Sequence, residues 1–222
     1  MGKLIVLEGT DGSGKSTQME RLAAHLEQDG VAFRRLRYPR YDCESSALIR
    51  SYLGGAFGEK PEDVNAYAAS TFYAVDRFAS YAEDWKEYYA AGGVLIADRY
   101  TTSNAVHQGS KLPHAEREDF FRWLYDFEFE KMRLPKPDLV LLLDMPIDLA
   151  ETLMRRREAD THTHADIHEK DDDYLRECRK AASDAAAFYG WERVQCAAGG
   201  RLRTVEEIHM EIYRRVRECL EG

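Results

Sequence analysis

A short apolar run near the start of the chain leads into a glycine-rich loop, and this junction limits the folds available. Lys3 to Glu8 read KLIVLE, and Gly9 to Ser16 match the pattern G-x-x-x-x-G-K-[ST]. A helical pattern with apolar residues at three- to four-residue spacing follows directly. A buried strand, a phosphate-binding loop and a helix in this order predict a nucleoside-triphosphate site in an α/β domain.

The residue types of this loop suit a bound triphosphate. Glycines let the backbone curl so that its N–H groups point inward, and the following helix adds its positive N-terminal end. We expect Lys15 to reach the terminal phosphates and Ser16 to ligate Mg²⁺. The predicted ATP site comprises Gly9, Asp11, Gly12, Ser13, Gly14, Lys15, Ser16 and Thr17. The alternative is a glycine-rich turn that binds no ligand.

Further apolar runs alternate with helical patterns along the chain. The predicted strands after Lys3–Glu8 are Val31–Tyr38, Val94–Asp98, Asp138–Asp144 and Trp191–Cys196. Beyond the helix that follows the loop, helical patterns cover Val64–Tyr89 (one or two helices), Glu116–Lys131, Leu149–Arg157, Tyr174–Tyr189 and Val205–Leu220. Continuous apolar runs of this length are typical of strands buried on both faces. The alternation predicts a three-layer α/β fold with a parallel sheet.

Length and charge narrow the class of protein. The chain has 222 residues, which suits one large domain or at most two small ones, and we expect one domain over residues 1–222. Its net charge of −9 disfavours binding to a nucleic-acid polymer. Arginines cluster at Arg34–Arg40 and Arg155–Arg157, which suits a small anionic ligand. The chain contains no run of 18 apolar residues, so the sequence predicts no membrane-spanning helix.

The four cysteines lack the spacing of a metal site. Cys43, Cys178, Cys196 and Cys219 are widely separated, and no CxxC occurs. We interpret them as free thiols and expect a cytoplasmic location. The sequence also lacks the guanine-reading NKxD of a regulatory GTPase. A motor ATPase would need a larger chain, so a small P-loop kinase is favoured.

A second set of polar residues follows the strand Val94–Asp98. Ligands of parallel sheets lie beyond the carboxyl ends of the strands, so Asp98 and Arg99 are expected near the phosphates. Asp98 would hold Mg²⁺ through water, and Arg99 would clamp an acceptor phosphate. The alternative for this pair is a surface salt bridge.

Tyr73 and Arg77 share a helix face, where they would stack on a base and donate to its carbonyl. Taken alone, this pair is better read as a core tyrosine and a surface arginine.

Together these motifs resemble the thymidylate kinase family of nucleoside-monophosphate kinases. The resemblance rests on LEGTDGSGKST, YPRY, the Tyr73/Arg77 pair, DRYTTSNAVHQG and LPKPDLVLLLDMP, and it covers nearly the whole chain. It implies a five-stranded parallel sheet flanked by helices, ATP with Mg²⁺ as phosphoryl donor and dTMP as acceptor. It also implies a place in dTTP synthesis and a homodimer formed through long helices.

The resemblance assigns roles to individual residues. Tyr73 matches the aromatic residue that stacks on the base, and Arg77 the donor to thymine O4. Asn104 and Gln108 fall where the base edge is read, and His107 where a bulky side chain crowds the sugar. The remaining matches are Arg40 and Arg99 at the acceptor phosphate and Asp11 near the sugar 3′-hydroxyl and the transferring phosphate. Together with the roles expected from the phosphate loop and the strand end, the catalytic set includes Lys15, Asp11 and Arg99, and Ser16 and Asp98 serve the metal.

The sequence departs from the family at its catalytic arginine. Family members carry this arginine either in the P-loop after the aspartate, where this chain has Gly12, or in a lid. The candidate lid, about residues 156–170, has no arginine from Glu158 to Lys170. We hypothesise that the cluster Arg155–Arg157, most plausibly Arg157, reaches the donor phosphates. The alternative is that these arginines cap a helix C-terminus. His162, His164 and His168 fit a polar loop better than a zinc site.

Two other functions remain open from the sequence. A deoxynucleoside kinase would phosphorylate a 5′-hydroxyl and would need a carboxylate base, for which Glu8 or Asp11 is a candidate. The pair Arg40 and Arg99 argues instead for an acceptor that already bears phosphate. A nucleotide-binding module without transferase activity is the third reading, because the lid is atypical.

Overall fold

The computed structural model describes residues 1–150 and 172–222, and a parallel sheet of five strands forms its centre. The strands are β1 (Lys3–Glu8), β2 (Phe33–Arg37), β3 (Val94–Asp98), β4 (Leu139–Asp144) and β5 (Glu192–Gln195). Their order in the sheet is β2-β3-β1-β4-β5. The predicted five-stranded parallel sheet is confirmed, with β2 and β5 shorter at both ends than their predicted runs.

The register of the sheet brings the carboxyl ends of three strands to one edge. Asp98 at the end of β3 pairs with Leu7 of β1 on one side and with Arg37 of β2 on the other. Leu7 pairs with Leu141 of β4. The phosphate loop that follows β1 therefore opens beside Asp98 and Arg37, at the edge where parallel sheets bind ligands.

Helices cover both faces of the sheet. In chain order they are α1 (Lys15–Gln28), α2 (Ala47–Leu53), α3 (Ala66–Ser80), α4 (Lys86–Ala90), α5 (Thr101–His107), α6 (His114–Tyr125), α7 (Asp172–Tyr189) and α8 (Val205–Glu221). Ile5 and Leu7 of β1 pack on α1 and α8, whereas Leu4 and Val6 face Trp85 and other side chains on the opposite side. This alternation along one strand produces the predicted three layers. None of the described helices is both long and apolar enough to cross a membrane.

The long helical patterns of the sequence are interrupted by π-helical turns. The turn Tyr81–Trp85 joins α3 to α4, and the turn Asp126–Lys131 continues α6. The predicted helix Val64–Tyr89 is thus two α-helices joined by a π-helical turn. Asn65 fixes the start of α3, because its side chain accepts a hydrogen bond from the amide of Ala68.

Part of the predicted lid region lies outside the described residues. The predicted helix Leu149–Arg157 begins within a helical turn at residues 147–150, and its remainder is not described. The lid segment 156–170, which includes Arg157, lies wholly in the range 151–171. The hypothesis for the catalytic arginine therefore stays a prediction.

Candidate active site

The phosphate loop has a backbone that only glycine adopts without strain at two of its positions. Gly12 and Gly14 have φ angles of 76° and 83°, in the left-handed region. Gly14 is also the N-cap of α1, and no side chain among the described residues caps this helix. The first N–H groups of α1 are thus directed into the loop without a side-chain acceptor, as an anion-binding helix start requires.

A cavity of about 250 Å³ extends from this loop along the carboxyl edge of the sheet. Most of the predicted site residues lie on its wall. They are Asp11, Lys15, Ser16, Tyr73, Arg77, Asp98, Arg99, Asn104, His107 and Gln108. One end of the cavity carries the phosphate loop, and the other carries the residues predicted to read a base. Groups suited to phosphate and groups suited to a base thus line the same cavity.

Lys15 is largely buried and lies beside Asp98. Its Nζ atom is 3.0 Å from Oδ1 of Asp98. Burial and the nearby Arg99 lower the pKa of Lys15, and Asp98 and Glu8 partly offset this effect. The side chain of Lys15 is thus held at the loop by a carboxylate of the neighbouring strand end.

Arg99 has a left-handed backbone conformation, with φ at 68°, where a non-glycine residue is strained. Its Nη2 donates to Asp11 Oδ1 at 2.8 Å, and its Nη1 is 2.7 Å from Nε2 of His107. Burial alone would lower the pKa of Arg99, but Asp11, Glu8 and Asp98 outweigh it and raise that pKa above its ordinary value. Arg99 is therefore a fixed positive charge on the wall of the cavity.

Four side chains form the end of the cavity away from the phosphate loop. Tyr73 and Arg77 come from α3, whereas Asn104 and Gln108 come from α5 and its C-cap, and the structure brings all four to the wall of one cavity. Arg77 forms a two-point ion pair with Glu128, with distances of 2.7 and 2.5 Å. Gln108 is 2% exposed, and its Oε1 has no hydrogen-bond partner among the described residues. A buried unpaired oxygen on a cavity wall is suited to a polar ligand atom.

Arg40 occupies a different position from the other predicted phosphate ligands. It is absent from the described wall of the cavity. Its Nε donates to Asp76 Oδ1 at 3.1 Å, and its Nη2 donates to the hydroxyl of Ser45. A second carboxylate, that of Glu83, lies 3.6 Å from Nη1. Arg40 is thus a sequence neighbour of residues on the cavity wall, but its guanidinium is bound to helix α3.

Several residues of the cavity had no individual role in the sequence analysis, although Arg37 lies in the cluster Arg34–Arg40 and Tyr41 in the motif YPRY. Arg37, Tyr41 and Tyr174 line its wall, and Glu128 lies directly behind it. Arg37 is the last residue of β2, and a strand end beside Asp98 was the signal that would have identified it. Glu128 carries no such signal, because an acidic residue in a helical pattern usually faces solvent.

The donor set of the cavity fits magnesium bound mainly by phosphate and water. Ser16 and Asp98 offer a hydroxyl and a carboxylate, which are hard oxygen ligands. Within residues 1–150 and 172–222, no group of three or more His, Cys, Asp or Glu side chains could hold a metal. Mg²⁺ commonly takes one or two protein oxygens together with substrate phosphates, so this small set is sufficient.

Comparison with known proteins agrees with this geometry. A model of the thymidylate kinase family matches residues 7–212. The chain is 32% identical over 190 residues to a thymidylate kinase of Mycobacterium tuberculosis (strain CDC 1551), over 85% of this chain and 87% of the relative. It is 30% identical over 221 residues to a probable thymidylate kinase of Pyrococcus horikoshii, over 100% and 98% of the two chains. A human thymidylate kinase is 34% identical over 147 residues, or 66% of this chain and 62% of the relative.

Proposed function

The chain belongs to the thymidylate kinase family, and we propose that it transfers the γ-phosphoryl group of ATP to dTMP, forming ADP and dTDP on the route to dTTP. The observation that carries the proposal is the single cavity that joins the phosphate loop to the polar pair Arg77 and Asn104. A nucleotide acceptor needs both a phosphate end and a base end, and the cavity offers both.

The acceptor needs little help from a base. The second pKa of a phosphate monoester is about 6, so its oxygens are largely ionised at neutral pH and can attack directly. The chain then contributes positioning and positive charge. In this proposal Lys15 serves the donor, and Arg99, paired with Asp11, holds the acceptor phosphate and offsets charge during transfer.

We propose that Ser16 and Asp98 hold the magnesium ion that accompanies ATP, the latter through water. When bound, this ion offsets the negative charge of the β- and γ-phosphates. The support is the pair of oxygen groups on the wall beside Lys15. Asp98 also contacts Lys15, so the same carboxylate would align the metal and the lysine.

The geometry of Glu8 weighs against a deoxynucleoside kinase. This carboxylate is fully buried and does not line the cavity. It accepts hydrogen bonds from the hydroxyls of Thr102 and Ser103 and from the amide of Gly9. A general base has to reach the acceptor hydroxyl, and Glu8 is instead occupied in holding the phosphate loop to α5. Asp11 is on the wall, but it is paired with Arg99.

A coupled assay of ADP release tests the proposed function. ATP and Mg²⁺ are supplied with dTMP, dUMP, dCMP, dGMP or dAMP, and the product is identified chromatographically. We expect ADP and dTDP in equal amounts, with dTMP as the preferred acceptor. ATP binding without dTMP-dependent ADP release would favour the non-catalytic nucleotide-binding module.

We further propose that residues 156–170 act as a lid and that Arg157 delivers the catalytic positive charge to the donor phosphates. The support is the sequence: position 12 is glycine, and the cluster Arg155–Arg157 lies at the start of the segment. Closure of such a lid would exclude water, which would otherwise hydrolyse ATP.

A homodimer and a cytoplasmic location complete the proposal. Val75 and Phe78 of α3 are 49% and 43% exposed, and these apolar side chains would be buried by a second copy. Light scattering should give about twice the chain mass of 25.5 kDa. The four cysteines are unpaired, which suits a reducing compartment, and cell fractionation would test the location.

A further inference from the structure

A fully buried carboxylate lies behind the base end of the cavity. Glu128, in the π-helical turn after α6, accepts hydrogen bonds from Arg77 Nε at 2.7 Å and from Arg77 Nη2 at 2.5 Å. It also accepts one from Asn104 Nδ2 at 3.0 Å. A buried carboxylate must be paired to persist, and Glu128 pairs with two of the residues that line the cavity.

Glu128 fixes which way the amide of Asn104 points. The two neighbours of this amide are the Glu128 carboxylate and the backbone carbonyl of Ser70, at 3.0 and 3.1 Å. An ionised carboxylate and a carbonyl only accept hydrogen bonds, so the NH₂ group of Asn104 has to face them. Both of its N–H donors are then used, and Oδ1 is the atom left for the cavity.

The same carboxylate fixes Arg77. Its Nε and Nη2 donate to Glu128, and its Nη1 donates to the backbone carbonyl of Tyr100 at 3.3 Å. A guanidinium has five donors, so two remain beyond these contacts with described residues. The base end of the cavity thus presents an acceptor that Glu128 fixes, Oδ1 of Asn104, and the donors of Arg77, beside Oε1 of Gln108, which is unpaired among the described residues.

This arrangement is complementary to an imide and opposed to a cytosine. Thymine and uracil carry a donor at N3 and an acceptor at O4, which suit Asn104 and Arg77. Cytosine carries an acceptor at N3 and an amino donor at C4, so each of its groups would meet a group of the same kind. We infer that Glu128 is a positioning residue that sets the preference for thymine over cytosine, by fixing Asn104 and Arg77. This inference rests on the proposed function.

The substitution Glu128→Gln tests the inference, because it changes one oxygen into an NH₂ group while keeping the shape. The new NH₂ group can donate to Asn104 only if that amide turns over, which places Nδ2 in the cavity. We expect the ratio of kcat/KM for dTMP to that for dCMP to fall about tenfold or more. The ratio for dTMP to dUMP should not change, since the two bases share N3–H and O4, and the KM for ATP should not change either.

Two further variants separate positioning from stability. Glu211 of α8 bridges Arg203 and Arg215 far from the cavity wall, so Glu211→Gln removes a comparable carboxylate and should leave both ratios unchanged. Glu128→Asp keeps the negative charge that pairs with Arg77, so the protein should still fold. Its side chain is one methylene shorter, so its contacts with Asn104 and Arg77 should be weakened. It should lower the dTMP to dCMP ratio severalfold.

The outcomes distinguish the inference from the proposed function. An unchanged dTMP to dCMP ratio in the folded Glu128 variants, or an equal fall in the dTMP to dUMP ratio, overturns the role of Glu128. A wild-type protein that phosphorylates dTMP and dCMP equally well overturns it too. A wild-type protein that releases no ADP with any nucleotide overturns the proposed function itself.

Discussion

Asp11 of the phosphate loop and Arg99 at the end of β3 form an ion pair, with 2.8 Å between Asp11 Oδ1 and Arg99 Nη2. This pair accounts for an acidic residue in a loop suited to bind phosphate. The carboxylate lies on the wall of the acceptor cavity and holds the guanidinium that would clamp the acceptor phosphate. The negative charge of Asp11 therefore supports the positive charge that the acceptor needs.

Replacing Asp11 should damage the acceptor side of the site more than the donor side. Asp11→Ala releases Arg99, so we expect kcat/KM for dTMP to fall at least tenfold, or about 1.4 kcal/mol of transition-state stabilisation. The dissociation constant for ATP, measured by calorimetry, should change much less. Glu20→Ala, which breaks the exposed Glu20–Arg35 pair, is a matched control and should change neither quantity. Equal losses in dTMP turnover and ATP binding would refute this role of Asp11.

The geometry of Arg99 should not tolerate lysine. The guanidinium contacts Asp11 and His107 through two different nitrogens, which a single ammonium group cannot reproduce. We expect Arg99→Lys to raise the KM for dTMP about tenfold, with a smaller change in the KM for ATP. Steady-state kinetics with each substrate varied in turn provides the measurement. Wild-type kinetics in the lysine variant would mean that a positive charge alone is sufficient for binding dTMP.

The arginine cluster at the start of the proposed lid should contribute to the rate of transfer. Among Arg155→Ala, Arg156→Ala and Arg157→Ala, we expect the last to lower kcat more than tenfold. The reason is that phosphoryl transfer requires positive charge around the migrating group, and Gly12 supplies none. Single-turnover measurements would separate this step from product release. Losses below about tenfold in all three variants would exclude the cluster as the source of the catalytic positive charge.

Lys111 should make stability depend on pH. Its ammonium group donates to the Tyr52 hydroxyl and to the carbonyl of Val64. Burial lowers the pKa of Lys111 to about 8 from 10.5, and Glu62 and Cys178 only partly oppose this. Between these two pH values the unfolded chain binds more protons than the folded one, so the free energy of unfolding should rise with pH.

The matched variant for this prediction is Lys111→Met. Denaturant titrations between pH 8 and pH 10.5 should show the wild-type protein gaining stability relative to the variant by about 1 kcal/mol per pH unit. Below pH 8 the difference should level off, because Lys111 is then protonated in both the folded and the unfolded protein. A difference that is constant or falls across the window would contradict the lowered pKa.

The sequence was sufficient for the features that depend on local pattern. Strand β1 has the predicted bounds, because its buried apolar run ends at a glycine. The π-helical turns within the long helical patterns were not predicted, since turns of five and six residues are too short to show a period of their own in the sequence. Arg77 was first read as a surface residue when taken alone. It is buried because Glu128, 51 positions away in the chain, pairs with it. Contacts of this kind depend on the fold and leave no pattern in the sequence.

The most direct test of the account compares thymidine with dTMP as acceptor under identical conditions. We propose that the cavity holds an acceptor that already bears a phosphate and that Arg99 clamps this phosphate. With ATP and Mg²⁺ present, we expect dTMP to be converted to dTDP and thymidine to give no dTMP. Conversion of thymidine to dTMP at a comparable or greater rate would contradict the claim and would identify a deoxynucleoside kinase.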